Sequence, residues 1–175
     1  GNPIDALRDL NILSKLDHQI LESNVKVLQP EKRSDGEEND FSQNQLRTLW
    51  MNSERNKVIS NTIIYEVSLG NPCLVFTCSV EHNVILASAL NFSGIQSKFV
   101  DSNQKKVHRR NIISDFKEEK FDVLLNFGVL TTGFDAPRIK SVIITRPTTS
   151  IVLYSQMIGR GLRGKRMGGN ETCKI

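Results

Sequence analysis

The sequence predicts an α/β domain with a parallel sheet covered by helices on both faces. Three observations carry this. After Pro72, short apolar runs alternate with helix-length segments. The apolar runs are continuous rather than alternating, as strands buried on both faces require. The chain has 175 residues with 38% apolar content, enough for one core without disulfide or metal staples.

In order, Cys73–Thr77 reads as a buried strand and Glu81–Phe92 as a helix that Ser79 caps and Gly94 closes. Lys98–Val100 is a second strand and Asn103–Glu118 a helix. Asp122–Asn126 and Ser141–Thr145 are the third and fourth strands, and Glu171–Ile175 reads as another strand just beginning. Upstream, residues 41–70 are helical. Leu46 and Leu49 mark a short helix, and Val58, Ile59, Ile63 and Val67 recur near 3.6 spacing on a longer one that Gly70 and Pro72 stop. Ile4, Leu7, Leu10, Leu13 and Leu16 suggest a short helix followed by less regular structure over residues 4–28. Residues 30–40 lack apolar side chains and read as a mobile loop. The expected organisation is a flank over 1–70 and an α/β unit over 71–175.

Charge is divided along the same line. Residues 1–70 carry 8 Lys/Arg against 11 Asp/Glu, and residues 71–175 carry 15 against 8. Basic charge concentrated on the α/β part suits phosphate-bearing ligands. Three cysteines without a CxxC spacing argue against a disulfide frame or zinc site and for a reducing cytoplasm. His18, His82 and His108 are scattered and read as surface or capping residues. No apolar run approaches the ~18 residues of a membrane span.

The stretch Ser155-Gln156-Met157-Ile158-Gly159-Arg160-Gly161-Leu162-Arg163-Gly164 is the most informative. Arginines at i and i+3 share one helix face, and guanidinium forks match phosphate oxygens. Ile151, Ile158 and Leu162 are placed to hold this helix on a core, with Thr149 or Ser150 as its N-cap. Gly159, Gly161 and Gly164 also spell GxGxxG, and Gly159–Lys165 spells most of a P-loop. Both need a strand before the glycines and a helix after them, and here a helix comes first. Arg166 also stands where a P-loop needs Ser or Thr. Upstream, Leu125 to Pro137 reads as a strand end running into a turn with Gly133, Asp135 and Pro137. Pro137 holds Ala136 extended, which fixes Asp135 in a turn expected beyond a strand's carboxyl end. A capping role for Asp135 and a solvated-helix role for the arginines remain open on spacing alone.

Together these segments resemble motifs V and VI of superfamily 2 helicases, the group containing the DEAD and DEAH proteins. Gly133-Phe134-Asp135-Ala136-Pro137 resembles Gly-x-Asp-x-Pro, and Gln156-x-x-Gly159-Arg160-x-x-Arg163 resembles Gln-x-x-Gly-Arg-x-x-Arg. Leu74 to Ser79 resembles motif IV, and the helix from about Lys105 to Phe116, with Arg109, resembles motif IVa. The flavour is that of restriction-enzyme-like and repair-type DNA members.

The resemblance implies the second RecA-like lobe of a two-lobed ATP-dependent motor. Arg163 would be the arginine finger, Arg160 a second phosphate contact, and Gln156 an orienting group. Asp135, in the Gly133 loop, would meet the ribose hydroxyls. Thr77, Ser79, Arg109 and the Thr131–Thr132 loop would grip a nucleic-acid backbone. Phe127-Gly128 stands where DEAD proteins place Thr-Asp, which shifts that contact to Asn126 or Thr131. ATP would come with Mg2+ held mainly by the first lobe, whose P-loop and acidic box this sequence lacks. The expectation is therefore an excised lobe, inactive by itself, with a cloning remnant at Gly1. Two alternatives stay open: a translocase region of a restriction nuclease, and an ATP-independent interaction module.

Overall fold

A computed structural model describes residues 3–23, 25, 30, 40–130, 134–161 and 163–175. The elements are α1 (Pro3–Asp9), β1 (Lys15–Asp17), α2 (Gln43–Trp50), α3 (Ser53–Ser68), β2 (Cys73–Phe76), α4 (Val80–Phe92), β3 (Ser97–Asp101), α5 (Lys106–Lys117), β4 (Val123–Phe127), β5 (Ser141–Ile144), α6 (Ile151–Ile158) and β6 (Thr172–Lys174). The strands form one sheet in the order β1-β6-β5-β2-β4-β3, and every pairing is parallel. Central β2 pairs with β4 and β5 in register, Leu74 opposite both Leu124 and Val142.

Side-chain alternation along β2 and β4 builds two cores. Leu74, Phe76 and Leu124 point into a cluster with Phe116 of α5 and Met157 of α6. Cys73, Val75, Val123 and Leu125 point the other way, against Ile59 and Ile63 of α3 and Leu86 and Leu90 of α4. Both faces are thus sealed by helices, as the continuous apolar runs of the strands require.

Local chemistry sets the boundaries. Ser42 and Gln45 form a reciprocal capping box at α2, Asn52 caps α3, Ser79 caps α4 and Ser150 caps α6. Helix α5 begins at Lys106 rather than Asn103. There the Asp101 carboxylate accepts from the Asn103 N–H at 2.8 Å, and Gln104 folds back on the Asp101 N–H and the Phe99 carbonyl. These side chains compete with the helix for residues 101–104.

The amino-terminal part departs from its expectation. Lys15–Asp17 is an edge strand on β6 rather than irregular chain. Buried Ser14 fixes it there by sharing its hydroxyl proton between the Arg163 and Asn170 carbonyls, each at 2.6 Å. Helix α1 ends at Asp9 and carries no buried residue. The expected loop over 30–40 lies outside the described residues except for Pro30 and Asp40. No described helix is long and apolar enough to cross a membrane.

Candidate functional site

Two groups of polar side chains stand at opposite ends of the strands, and the crossover rule explains why. Parallel strands require each connection to carry the chain back to the amino end. After β4 ends at Phe127, the chain returns through Phe134–Pro137 to enter β5 at Ser141. Asp135 therefore lines an open cleft of ≈ 650 Å³ with Gly70, Pro72, Asp122 and Lys140, residues that precede β2, β4 and β5. The expected position beyond a strand's carboxyl end is corrected: the carboxylate lies at the amino end.

Helix α6 makes the same return from β5 and delivers its arginines to that end. The helix stops at Ile158. Gly159–Gly161 is a 3-10 turn, and Arg163 lies beyond it in an antiparallel bridge with Leu13. The arginines are thus not an i, i+3 pair on one helix face. Met157 anchors α6 to the core, while Ile151 is 81% exposed, and Leu162 is outside the described residues. Three glycines permit this close course. A Cβ on Gly161 would meet Cys173 and Val142, one on Gly164 the Asn11 and Ile12 backbone, and one on Gly169 the Arg163 carbonyl.

At that end Arg163 Nε lies 2.9 Å from Asp135 Oδ1, with both side chains nearly half exposed. Arg160 Nη1 donates to the Phe134 carbonyl at 2.7 Å and its Nε to the Gln156 carbonyl at 3.2 Å. Motif-like segments 26 residues apart are thereby tied together. Asp135 Oδ1 is sheltered from solvent yet receives no aligned hydrogen bond. Charge at 2.9 Å holds the pair, and a directed donor to that oxygen is missing. The Gln156 carbonyl engages Arg160, and its side chain is half-buried on α6. Gly133 lies outside the described residues, as do Thr131 and Thr132.

The second group lies where the strands end. Thr77, Ser79 and Asn126 are buried. The Thr77 hydroxyl lies 2.7 Å from Asn83 Oδ1, and the Ser79 hydroxyl accepts from the His82 N–H. Asn126 donates to the Val75 carbonyl and accepts from the Leu130 N–H. Buried Asn83 Nδ2 has no hydrogen-bond acceptor. Arg109, half-buried, donates to the carbonyls of Asp101 and Ser102 at the end of β3. One cation passed over in the sequence joins them. Arg146, two residues past β5, lies over the Phe127 ring at 5.6 Å. Its signal was the Arg-Pro-Thr-Thr run directly after an apolar strand.

His82 corrects another expectation, for it is fully buried rather than superficial. Its Nδ1 accepts from the Cys78 N–H, so Nε2 carries the proton toward Asn56 Oδ1 at 3.1 Å. Burial, then the nearby Arg55 guanidinium, pushes its pKa down to about 3. Arg55 itself donates to the Thr145 carbonyl. All three cysteines are free and buried, and burial raises Cys73 and Cys173 to about 12. No group of His, Cys, Asp or Glu among the described residues could hold a metal ion.

Six parallel strands between two helical layers, with an arginine–carboxylate pair at one end, define a RecA-like α/β lobe. The chain belongs to the helicase conserved C-terminal domain family, which it matches over residues 54–165. It is 39% identical over 127 residues to "Putative ATP-dependent helicase IRC3" of Saccharomyces cerevisiae, a match covering 71% of this chain and 18% of that protein. It is 32% identical over 108 residues to the UvrABC system protein B of Xylella fastidiosa, covering 57% of this chain and 16% of that protein. The chain therefore spans under a fifth of these relatives. Among solved structures, the C-terminal part of the Fun30 ATPase domain matches with a TM-score of 0.61 at 18% identity, over 72% of this chain and 41% of that one. The C-terminal domain of the DEAD-box protein Dbp5 matches at 0.57 and 16% identity, over 94% and 76%. The helicase domain of Hef from Pyrococcus furiosus matches at 0.53 and 22%, over 70% and 24%. These structural likenesses establish the fold.

Proposed function

We propose that this chain is the second motor lobe of an ATP-dependent helicase or translocase acting on nucleic acid, DNA by the flavour of its motifs. One observation carries the reading. Asp135 and Arg163, 28 positions apart in sequence, meet at 2.9 Å beside an open cleft, and Arg160 is pinned to the residue preceding Asp135. The residues suit a nucleotide. Asp135 Oδ1 lacks the aligned donor that a ribose hydroxyl provides, and Arg163 is exposed enough to exchange its carboxylate for a phosphate oxygen.

ATP, with Mg2+ held mainly by the first lobe, would close the two lobes on binding and let them open after hydrolysis of its terminal phosphoanhydride. In this chain Arg163 is the finger that neutralises developing phosphate charge, and Arg160 is a second phosphate contact. Asp135 and the Gly133 loop receive the ribose, and Gln156 orients the arginines. Thr77, Ser79, Arg109 and Asn126 belong to the opposite, nucleic-acid-facing end, and Thr131 and Thr132 are assigned to the same ligand from their motif alone. Because Thr77, Ser79 and Asn126 are buried, they act by fixing the strand ends and loops of the nucleic-acid-facing side rather than by direct contact. The functional division falls near residue 70, with the flank leading in from the first lobe. The lobe alone turns over no ATP, and its three buried thiols suit a reducing cytoplasm.

In the full protein, Arg163→Ala should cut ATP turnover by ~10³–10⁵-fold while nucleic-acid binding persists. Turnover within tenfold of the wild type would overturn the finger assignment.

A further inference from the structure

Asp40 reaches across the fold to the carboxyl end of β5. One carboxylate oxygen accepts from the Thr149 N–H at 3.3 Å. The other accepts from the Thr148 hydroxyl at 3.3 Å and lies 3.7 Å from Arg146 Nη2. Thr149 immediately precedes Ser150, the N-cap of α6, so the carboxylate lies near the start of that helix. A guanidinium, a hydroxyl and a backbone amide at a helix start are the donor set of an oxyanion seat.

The carboxylate fills this seat loosely. Both hydrogen bonds are long, and 3.7 Å is an ion-pair separation rather than a hydrogen bond. Arg146 Nε is sheltered from solvent and has no acceptor at all. The cation–π contact with Phe127, 5.6 Å from the guanidinium carbon to the ring centroid, favours the guanidinium where it is rather than closer to Asp40. A tetrahedral phosphate group directs oxygens out of the plane to which a carboxylate is confined, and can serve Nε as well as Nη2.

We propose that Arg146, Thr148 and Thr149 form a phosphate-binding seat for the nucleic-acid backbone, with Asp40 as its internal competitor. This deepens the motor reading above and rests on it. The position favours a polynucleotide over free phosphate. The seat lies at the same end of the strands as Asn126 and the Arg109 contacts on β3, opposite the Asp135–Arg163 pair. The charge division fits as well, since Asp40 comes from the acidic flank and Arg146 from the basic part.

The test is the affinity of the full protein for a fluorescein-labelled single-stranded oligodeoxynucleotide, measured by anisotropy over a range of salt. Arg146→Gln should weaken binding and lower the log–log salt slope by about 0.7, the share of one phosphate contact on a single strand. Arg146→Lys should keep that slope. Asp40→Asn should tighten binding by up to about fivefold at low salt, and the gain should vanish in the Arg146→Gln background. The Asp40→Asn gain cannot arise from misfolding. Calorimetric titration with inorganic phosphate separates the two phosphate sources: saturable phosphate binding with an oligonucleotide affinity indifferent to Arg146 would overturn the nucleic-acid assignment. Wild-type binding that neither variant alters would remove the seat and leave the motor reading intact. A wild-type protein that binds no nucleic acid would remove both.

Discussion

Gly164→Ala perturbs the turn that directly follows Arg163. Gly164 is buried and packs against the turn at Asn11–Ile12. A Cβ there would overlap the Asn11 carbonyl oxygen and come within 2.7 Å of the Asn11 carbonyl carbon and 2.8 Å of the Ile12 carbonyl carbon. All three are backbone atoms, so no side chain can rotate away. Separating the turns puts at risk the bonds from Gly164 N–H to the Ile12 carbonyl at 3.0 Å and from Arg166 N–H to the Asn11 carbonyl at 2.9 Å. Two net hydrogen bonds at about 1 kcal/mol each and about 1–3 kcal/mol of overpacking give a loss of about 3–5 kcal/mol before relaxation. For a domain of this size that is roughly 6–20 °C in melting temperature. Gly159→Ala is the control. Its backbone is at φ −55°, ψ −19°, and a Cβ would meet nothing within 4 Å. It should be neutral or stabilising by up to about 1 kcal/mol. Urea and thermal denaturation of the two variants decide the matter. If Gly164→Ala unfolds with the wild type, or both variants shift alike, the close-packing account of these glycines is wrong.

Asp135→Asn should cost no more than about 1 kcal/mol of stability, because its pair with Arg163 is nearly half exposed. In the full protein it should raise the KM for ATP, and an unchanged KM would count against the ribose role. His82 gives a pH signature. Its folded pKa of about 3 lies below the ordinary 6.5, so the unfolded chain binds the extra proton. The stabilisation is complete above pH 6.5 and is lost as pH falls toward 3, by about 2 kcal/mol at pH 5. Urea midpoints at pH 7 and pH 5 should show this drop, and His82→Gln should remove it. A thiol reagent should label Cys73, Cys78 and Cys173 only after denaturation, since all three are buried with raised pKa values. Rapid labelling of the native chain would contradict their placement.

Patterns that span a few residues were legible in the sequence because the forces behind them are local. The runs at Cys73, Val123 and Ser141 became strands, since continuous apolar chain with helices between can only be a doubly covered parallel sheet. Ser79, Ser150 and Gly70 marked helix ends for reasons contained in their own side chains and backbone. Asp135, Arg160 and Arg163 were legible as motif residues, but the helix face expected to join the two arginines is not there, and the contact of Arg163 with Asp135 is made through space. Contacts made through space were not legible. The pairing of β1 with β6 depends on Ser14 meeting carbonyls 149 and 156 positions away. The burial of Thr77, Asn126 and His82 depends on which neighbours arrive over them. Asp40 found Arg146 across more than 100 residues. Which end of the strands each polar group occupies followed from the return path of every crossover, and a periodicity read along the chain carries no record of that direction.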